Sequence, residues 1–299
     1  MKLFSIHIIK LLLILIISLY ALDFLYAKVY ANSKYRNKIQ YALNDNPKEY
    51  DVVFLGSSRA NNHFATSEFE KKGFKTFNFG MSGGSLEESL LLLEILIEKK
   101  NNLKNVILEL DLNIRSESFS DGTRAAFMPY LNSNSVINNF YNSKLEDFNT
   151  FSFYPFYRFI KYETKIGFRE MMFTAIHKKS KFLTYNGYEP LYGSESGMSY
   201  DLEKAKPKKN KNFEEIRRVC KKNNINLIVV TTPICKNTSN KDYFKEVKKV
   251  YPEIHNFENV ITDDKYFATC GHLNDEGAKI FTNIIINEFF ESQKDKSKI

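Results

Sequence analysis

Two short stretches, far apart in the chain, hold the residue types that acyl transfer needs. One is Gly56-Ser57-Ser58-Arg59, directly after the apolar run Asp51-Val52-Val53-Phe54-Leu55. The other is Cys270-Gly271-His272-Leu273-Asn274, directly before a helical pattern that begins at Asp275. A serine hydroxyl is a weak nucleophile until a base within hydrogen-bond reach takes its proton, and the oxyanion formed on attack needs donors already in place. Ser58 is accordingly the expected nucleophile and His272 the expected base. Among the other histidines, His63 lies too close to Ser58 in the chain, His7 falls in the apolar N-terminal segment, and His177 and His255 sit in segments with no such placement. Ser82 is the rival nucleophile, because Gly80-Met81-Ser82-Gly83-Gly84 fits the G-x-S-x-G elbow between a strand and a helix. The plain alternative for Gly83-Gly84 is a tight turn that requires glycine.

These residues can meet only if the elements between them fold correctly. The run Asp51 to Leu55, ending at Gly56, reads as a strand buried on both faces; Phe74 to Phe79 and Asn105 to Asp111 read as the second and third. Ser85 to Lys100 is an amphipathic helix with Ser85 and Glu88 at capping-box spacing. Later come a helix over Asn212 to Asn223, a strand over Ile225 to Thr232 stopped by Pro233, and a helix over Asn240 to Val250. A short strand over Asn259 to Thr262 and a last helix over Asp275 to Ser292 complete the pattern. Alternating strands and helices predict an α/β fold, a doubly wound flavodoxin-like parallel sheet whose sites lie at the carboxyl ends of the strands. Residues 112–211 interrupt the alternation with a Tyr/Phe/Asn-rich insertion after the third strand, too long for an ordinary connection. It is either a lid or substrate-binding element beside the strand ends or a peripheral cap around its own aromatic core.

Strand-Gly56-Ser57-Ser58 resembles the first sequence block of the SGNH (GDSL-like) hydrolase superfamily. Asn78-Phe79-Gly80-Met81-Ser82-Gly83 resembles its second block, Leu110-Asp111-Leu112-Asn113 falls where its third belongs, and His272-Leu273-Asn274 with Gly277 resembles its last. The resemblance covers residues 50–292 apart from the insertion. It implies an esterase or acyltransferase with Ser58 as nucleophile, His272 as base, and an oxyanion hole from the amides of Ser58 and Gly83 helped by Asn113. Similar anchored members act on acylated polysaccharide or lipid-linked polymers of the bacterial cell envelope, and no cofactor or metal is implied. The sequence departs from the pattern where an acid normally precedes the histidine by three residues, for that position is Thr269. In a triad such an acid fixes the histidine tautomer, and its loss costs about 10⁴ in rate. The expectation is therefore a Ser-His dyad, with Asp263, Asp264 or a main-chain carbonyl as replacements for the acid. A second expectation is a non-catalytic scaffold of the same fold that partners a membrane acyltransferase.

The 43% hydrophobic and 15% aromatic content is enough for a full core and excludes global disorder. A net charge of +8 favours anionic partners, but the basic residues are scattered without a nucleic-acid-binding pattern, so no nucleic acid is expected. Phe4 to Tyr26 is almost wholly apolar, a membrane-targeting segment. With Lys10 snorkelling it is long enough to cross once, and Val29 to Ala31 is a mediocre cleavage site. Residues 1–27 are thus read as an uncleaved membrane anchor, 28–49 as a linker, 50–292 as the α/β domain and 293–299 as a polar tail, with the domain extracytoplasmic. Cys220, Cys235 and Cys270 allow one pair or none.

Overall fold

The computed structural model describes residues 2–33, 36–43, 46–115, 117, 120–202 and 207–291; the polar tail 293–299 lies outside the described residues. The chain divides into two compact units, one of Met1–Asn44 with Arg124–Ser180, the other of Asp45–Thr123 with Lys181–Ile299.

The first unit starts with the helix α1, Lys2–Asn32. It contains an 18-residue window of mean hydropathy 2.5 and is long and apolar enough to cross a membrane. Its large apolar side chains other than half-buried Leu19 are exposed up to Leu25, whereas Tyr26 and Tyr30 are buried. The rest of the unit is short helices, among them Ser135–Asn142, Phe148–Phe153, Tyr157–Lys161 and Phe168–Ala175. Their core is aromatic and aliphatic: Phe127, Ile137, Tyr141, Phe151 and Phe159 are all at most 1% exposed. This part of the insertion packs its aromatic core together with Tyr26 and Tyr30 of α1.

The second unit is built on a four-stranded parallel sheet. Its strands are β1 (Glu49–Leu55), β2 (Thr76–Asn78), β3 (Asn102–Glu109) and β4 (Asn226–Val230), in spatial order β2-β1-β3-β4. Register runs Val52↔Thr76 to Phe54↔Asn78, Glu49↔Asn102 to Leu55↔Leu108, and Asn105↔Asn226 to Glu109↔Val230. Val52, Val53, Phe54 and Leu55 have no exposed surface, because helices cover both faces of the central strand. Those helices include α2 (Ser58–His63), α3 (Leu86–Glu98), α4 (Lys211–Lys222), α5 (Asp242–Val250) and α6 (Asp275–Ile286). The Ser85/Glu88 capping box at the start of α3 is formed on both sides. The chain is thus a doubly wound α/β protein.

Two elements differ from expectation. The strand expected at Asn259 to Thr262 does not form; a single parallel bridge between Val230 and His255 occupies the fifth-strand position. Only Val260 and Ile261 are apolar there, and Val260 is exposed, so little would be gained by extending the ladder. Helix α6 also stops at Ile286 and continues as a π-helical turn, Asn287–Glu291.

Candidate functional site

Gly56 ends β1 with φ +139°, and a Cβ there would lie 2.6 Å from the Glu109 carboxyl oxygen and 2.9 Å from Ala60. Only glycine permits both that backbone and that approach. The chain then turns into α2 with Ser57 as N-cap, its Oγ accepting from the Arg59 amide. Ser58 is the first helical residue, so its N–H has no intrahelical acceptor. Across from it, β5 (Phe267–Thr269) and β6 (His272–Leu273) form a small antiparallel ribbon in which Thr269 faces His272.

This ribbon brings His272 to Ser58. His272 Nε2 lies 2.8 Å from Ser58 Oγ, and its Nδ1 lies 3.2 Å from Thr269 Oγ1. With Nδ1–H donating to the threonine oxygen, Nε2 is left as the acceptor for the serine proton, the tautomer a general base requires. The residue at the usual acid position therefore orients the ring as a neutral hydroxyl. Asp263, one of the replacement acids, spends its carboxylate on the Lys265 amide and ammonium instead, capping a turn; Asp264 Oδ1 is buried without a partner. Burial, and secondarily the Arg59 guanidinium, hold His272 below the usual histidine range, against an opposing pull from Asp111. Both effects favour the neutral ring.

Arg59, only 3% exposed, ties this loop to the sheet. Its Nε is 2.7 Å from Asp111 Oδ2 and donates to Thr232 Oγ1; its terminal nitrogens donate to the carbonyls of Gly271, Thr232 and Pro233. Asp111 and its neighbour Glu109 are both fully buried and hydrogen-bonded to each other. Burial, reinforced by the Asp111 charge, raises Glu109 well above the carboxylate range. Burial alone would raise Asp111 too, but Arg59 together with hydrogen bonds from Glu109, the Leu112 amide and Thr232 outweighs it and keeps Asp111 low. The opposed shifts favour a neutral Glu109 beside an ionised Asp111, which faces Arg59. Glu109 Oε2 also accepts from the Ser57 amide at 2.7 Å, so one cluster fixes both the nucleophile's turn and the loop ahead of the base. His63 adds a further fastening: its buried Nε2 accepts from the Leu273 amide, leaving Nδ1 buried without a partner.

Ser58 and His272 open onto a cavity of about 690 Å³ that Gly83, Asn113, Met198 and Tyr200 also line. Gly83 has φ +75° in a turn closed by the Gly84 amide donating to the Met81 carbonyl, so the glycine is required there. Met198 and Tyr200 belong to the end of the insertion.

Two expectations need correction. Asn113 was expected to donate to the oxyanion, but its amide nitrogen is committed to the Glu109 carbonyl and carboxyl, and its Oδ1 is buried without a partner. It braces Glu109 instead. Ser82 is exposed, and its Oγ accepts from Asn61, which also donates to Glu189; the histidine's Nε2 faces Ser58.

Sequence reasoning assigned no role to Arg59, Glu109 or Asp111 in positioning. The available signal was two carboxylates in the otherwise apolar Val106 to Leu112 run. Cys235 and Cys270 form a disulfide, and Cys220 is free and buried. Among the described residues, no group of three or more His, Cys, Asp and Glu side chains could hold a metal ion.

No family model matches the chain, and no curated protein matches it. Among solved structures it is similar to one described as a "putative acylhydrolase" from Bacteroides fragilis. That match has 14% identity and a TM-score of 0.36, covering 89% of this chain and 95% of that one. Another, described as a "putative platelet activating factor" from Streptococcus pneumoniae, matches at 10% identity and a TM-score of 0.35, covering 95% and 99%.

Proposed function

We propose that this chain is a membrane-tethered serine esterase or acyltransferase in which Ser58 and His272 act as a dyad. The observation that carries the reading is the 2.8 Å contact from Ser58 Oγ to His272 Nε2, with Nδ1 held by Thr269, at the wall of an open cavity. In the first step Ser58 Oγ attacks an ester carbonyl carbon while its proton passes to Nε2. The carbonyl π-electrons move to oxygen, where the amides of Ser58 and Gly83 receive the charge. Collapse expels the alcohol, which takes the proton from Nε2, and leaves an acyl-serine. Water or an acceptor hydroxyl then repeats the sequence in reverse, releasing a free acid or a new ester.

The proposed substrate is an acylated cell-envelope polysaccharide or lipid-linked polymer, with α1 as an uncleaved anchor and the catalytic unit outside the cytoplasm. Two observations support that setting. The Cys235–Cys270 bridge belongs to an oxidising compartment. Cleavage at Val29 to Ala31 would also remove Asp23, the carboxylate 2.7 Å from buried Arg158, and the buried Tyr26. The second reading, a scaffold that recruits a membrane acyltransferase, draws on the neutral Thr269 where an acid would serve catalysis better.

A fluorophosphonate probe on the full chain in detergent separates these readings. Labelling that disappears in Ser58→Ala and His272→Ala and persists in Ser82→Ala is the expected result. Labelling lost only in Ser82→Ala would move the nucleophile, and none at all in the wild-type chain would favour the scaffold.

A further inference from the structure

The first unit carries an exposed apolar group where the anchor helix enters its core. Phe153, Tyr154 and Ile160 are 69%, 64% and 57% exposed. The segment between them is built around a single residue of α1. Asp23 Oδ2 accepts from the Phe156 amide at 2.8 Å, and its Oδ1 accepts from Arg158 at 2.7 Å. Phe156 adopts a left-handed φ of +63° in making this bond, and its ring packs edge-on against Tyr26 at 4.8 Å. Phe153 and Tyr154 precede this clamp and Ile160 follows it, so all three lie within three residues of a group bonded to Asp23.

Asp23 is also where the helix changes surroundings. From Leu3 to Leu22 its large apolar side chains other than half-buried Leu19 are solvent-exposed; past Asp23 one face, Tyr26 and Tyr30, is covered by the unit while Phe24 and Leu25 stay exposed. At 1.5 Å per residue, that stretch spans about 30 Å, the thickness of a bilayer's hydrocarbon core. Asp23 then marks the membrane–water boundary. Aromatic side chains are favoured at such a boundary, with basic groups reaching anionic headgroups; Lys161 follows Ile160 directly, and Lys165 lies four residues further on. Single exposed apolar residues need no explanation, but three that cluster at the foot of an apolar helix do.

We propose that Phe153, Tyr154 and Ile160 insert into the interfacial layer of a phospholipid bilayer, making a collar around the foot of α1 that seats the first unit on the lipid surface. This rests on the reading of α1 as a membrane span. The chain has no tryptophan, so single-tryptophan variants report position without background. The full-length variants Phe153→Trp, Tyr154→Trp, Ile160→Trp and Ile14→Trp are reconstituted into phosphatidylcholine–phosphatidylglycerol vesicles. Each is measured with lipids brominated either near the headgroup end or near the methyl end of the acyl chain. Ile14→Trp is expected to lose emission mainly to deep bromine, and the three collar reporters mainly to shallow bromine, with blue-shifted spectra. Unquenched, red-shifted emission from the collar positions beside a quenched Ile14→Trp would overturn the collar and leave the span intact. An unquenched Ile14→Trp would overturn both. Having three collar positions guards against one variant that misfolds.

Discussion

Replacing Thr269 with aspartate tests whether the ring is oriented through Nδ1. The threonine oxygen lies 3.2 Å from that nitrogen, and a carboxylate there would face the imidazolium at about 4 Å. The interaction is about 4 kcal/mol at an effective dielectric of 20 and about 1 kcal/mol in bulk water. Because Thr269 is exposed, the outcome should fall between these limits, at roughly 1.5–3 kcal/mol, which is a rise of about one to two pKa units. The starting value lies below the 6.5 of an ordinary histidine, through burial first and Arg59 second. The acid limb of the labelling rate therefore begins below that value in the wild-type chain and moves up in Thr269→Asp. Above the new limb, the same stabilisation acts on the imidazolium that forms during attack, giving a gain of about ten- to a hundredfold. Thr269→Val removes a neutral hydrogen bond worth about 0.5–1.5 kcal/mol, a loss of about two- to tenfold. The assay is the second-order rate of fluorophosphonate labelling across pH, paired with an NMR titration of His272. An aspartate variant with an unmoved acid limb and unchanged rate, together with a valine variant equal to wild type, would refute orientation by residue 269.

Two further outcomes follow from the buried cluster and the disulfide. Glu109→Gln should shift unfolding stability by no more than about 1 kcal/mol, because the native side chain is already neutral. Asp111→Asn should cost about 3–5 kcal/mol by leaving the Arg59 guanidinium buried and unpaired; equal losses in denaturant unfolding would contradict a neutral Glu109 beside an ionised Asp111. Removing the Cys235–Cys270 bridge in a Cys235→Ser/Cys270→Ser double variant should cost about 4 kcal/mol, since it closes a loop with a sequence separation of 35. It should also slow labelling, because Cys270 lies in the turn that presents His272. An unchanged melting temperature and labelling rate would remove the bridge from the argument.

The sheet was legible because β1, β3 and β4 are apolar runs bounded by glycine, asparagine or proline, and α3 announces itself through its capping box. Ser58 and His272 were legible as residue types at strand and helix boundaries. The support beneath them was not. Arg59 reads in sequence as one more surface cation, and nothing local says that its partners come from the segments after β3 and β4 and from the turn between β5 and β6. Asn113 was assigned by position alone, which cannot tell an amide facing a cavity from one turned towards Glu109. The missing acid was visible, but that threonine would fill its place required the pairing of β5 with β6. The division of the insertion was hidden for a similar reason: its aromatic segments look alike, and only packing separates those around α1 from those beside the cavity.

The cysteine bridge sets a time as well as a place. Under the proposed function, while the chain is still among cytoplasmic thiols the turn carrying His272 would lack its covalent brace, so a newly made molecule would be least competent where cellular esters and thioesters are most abundant. Oxidation after export would then be the event that completes it.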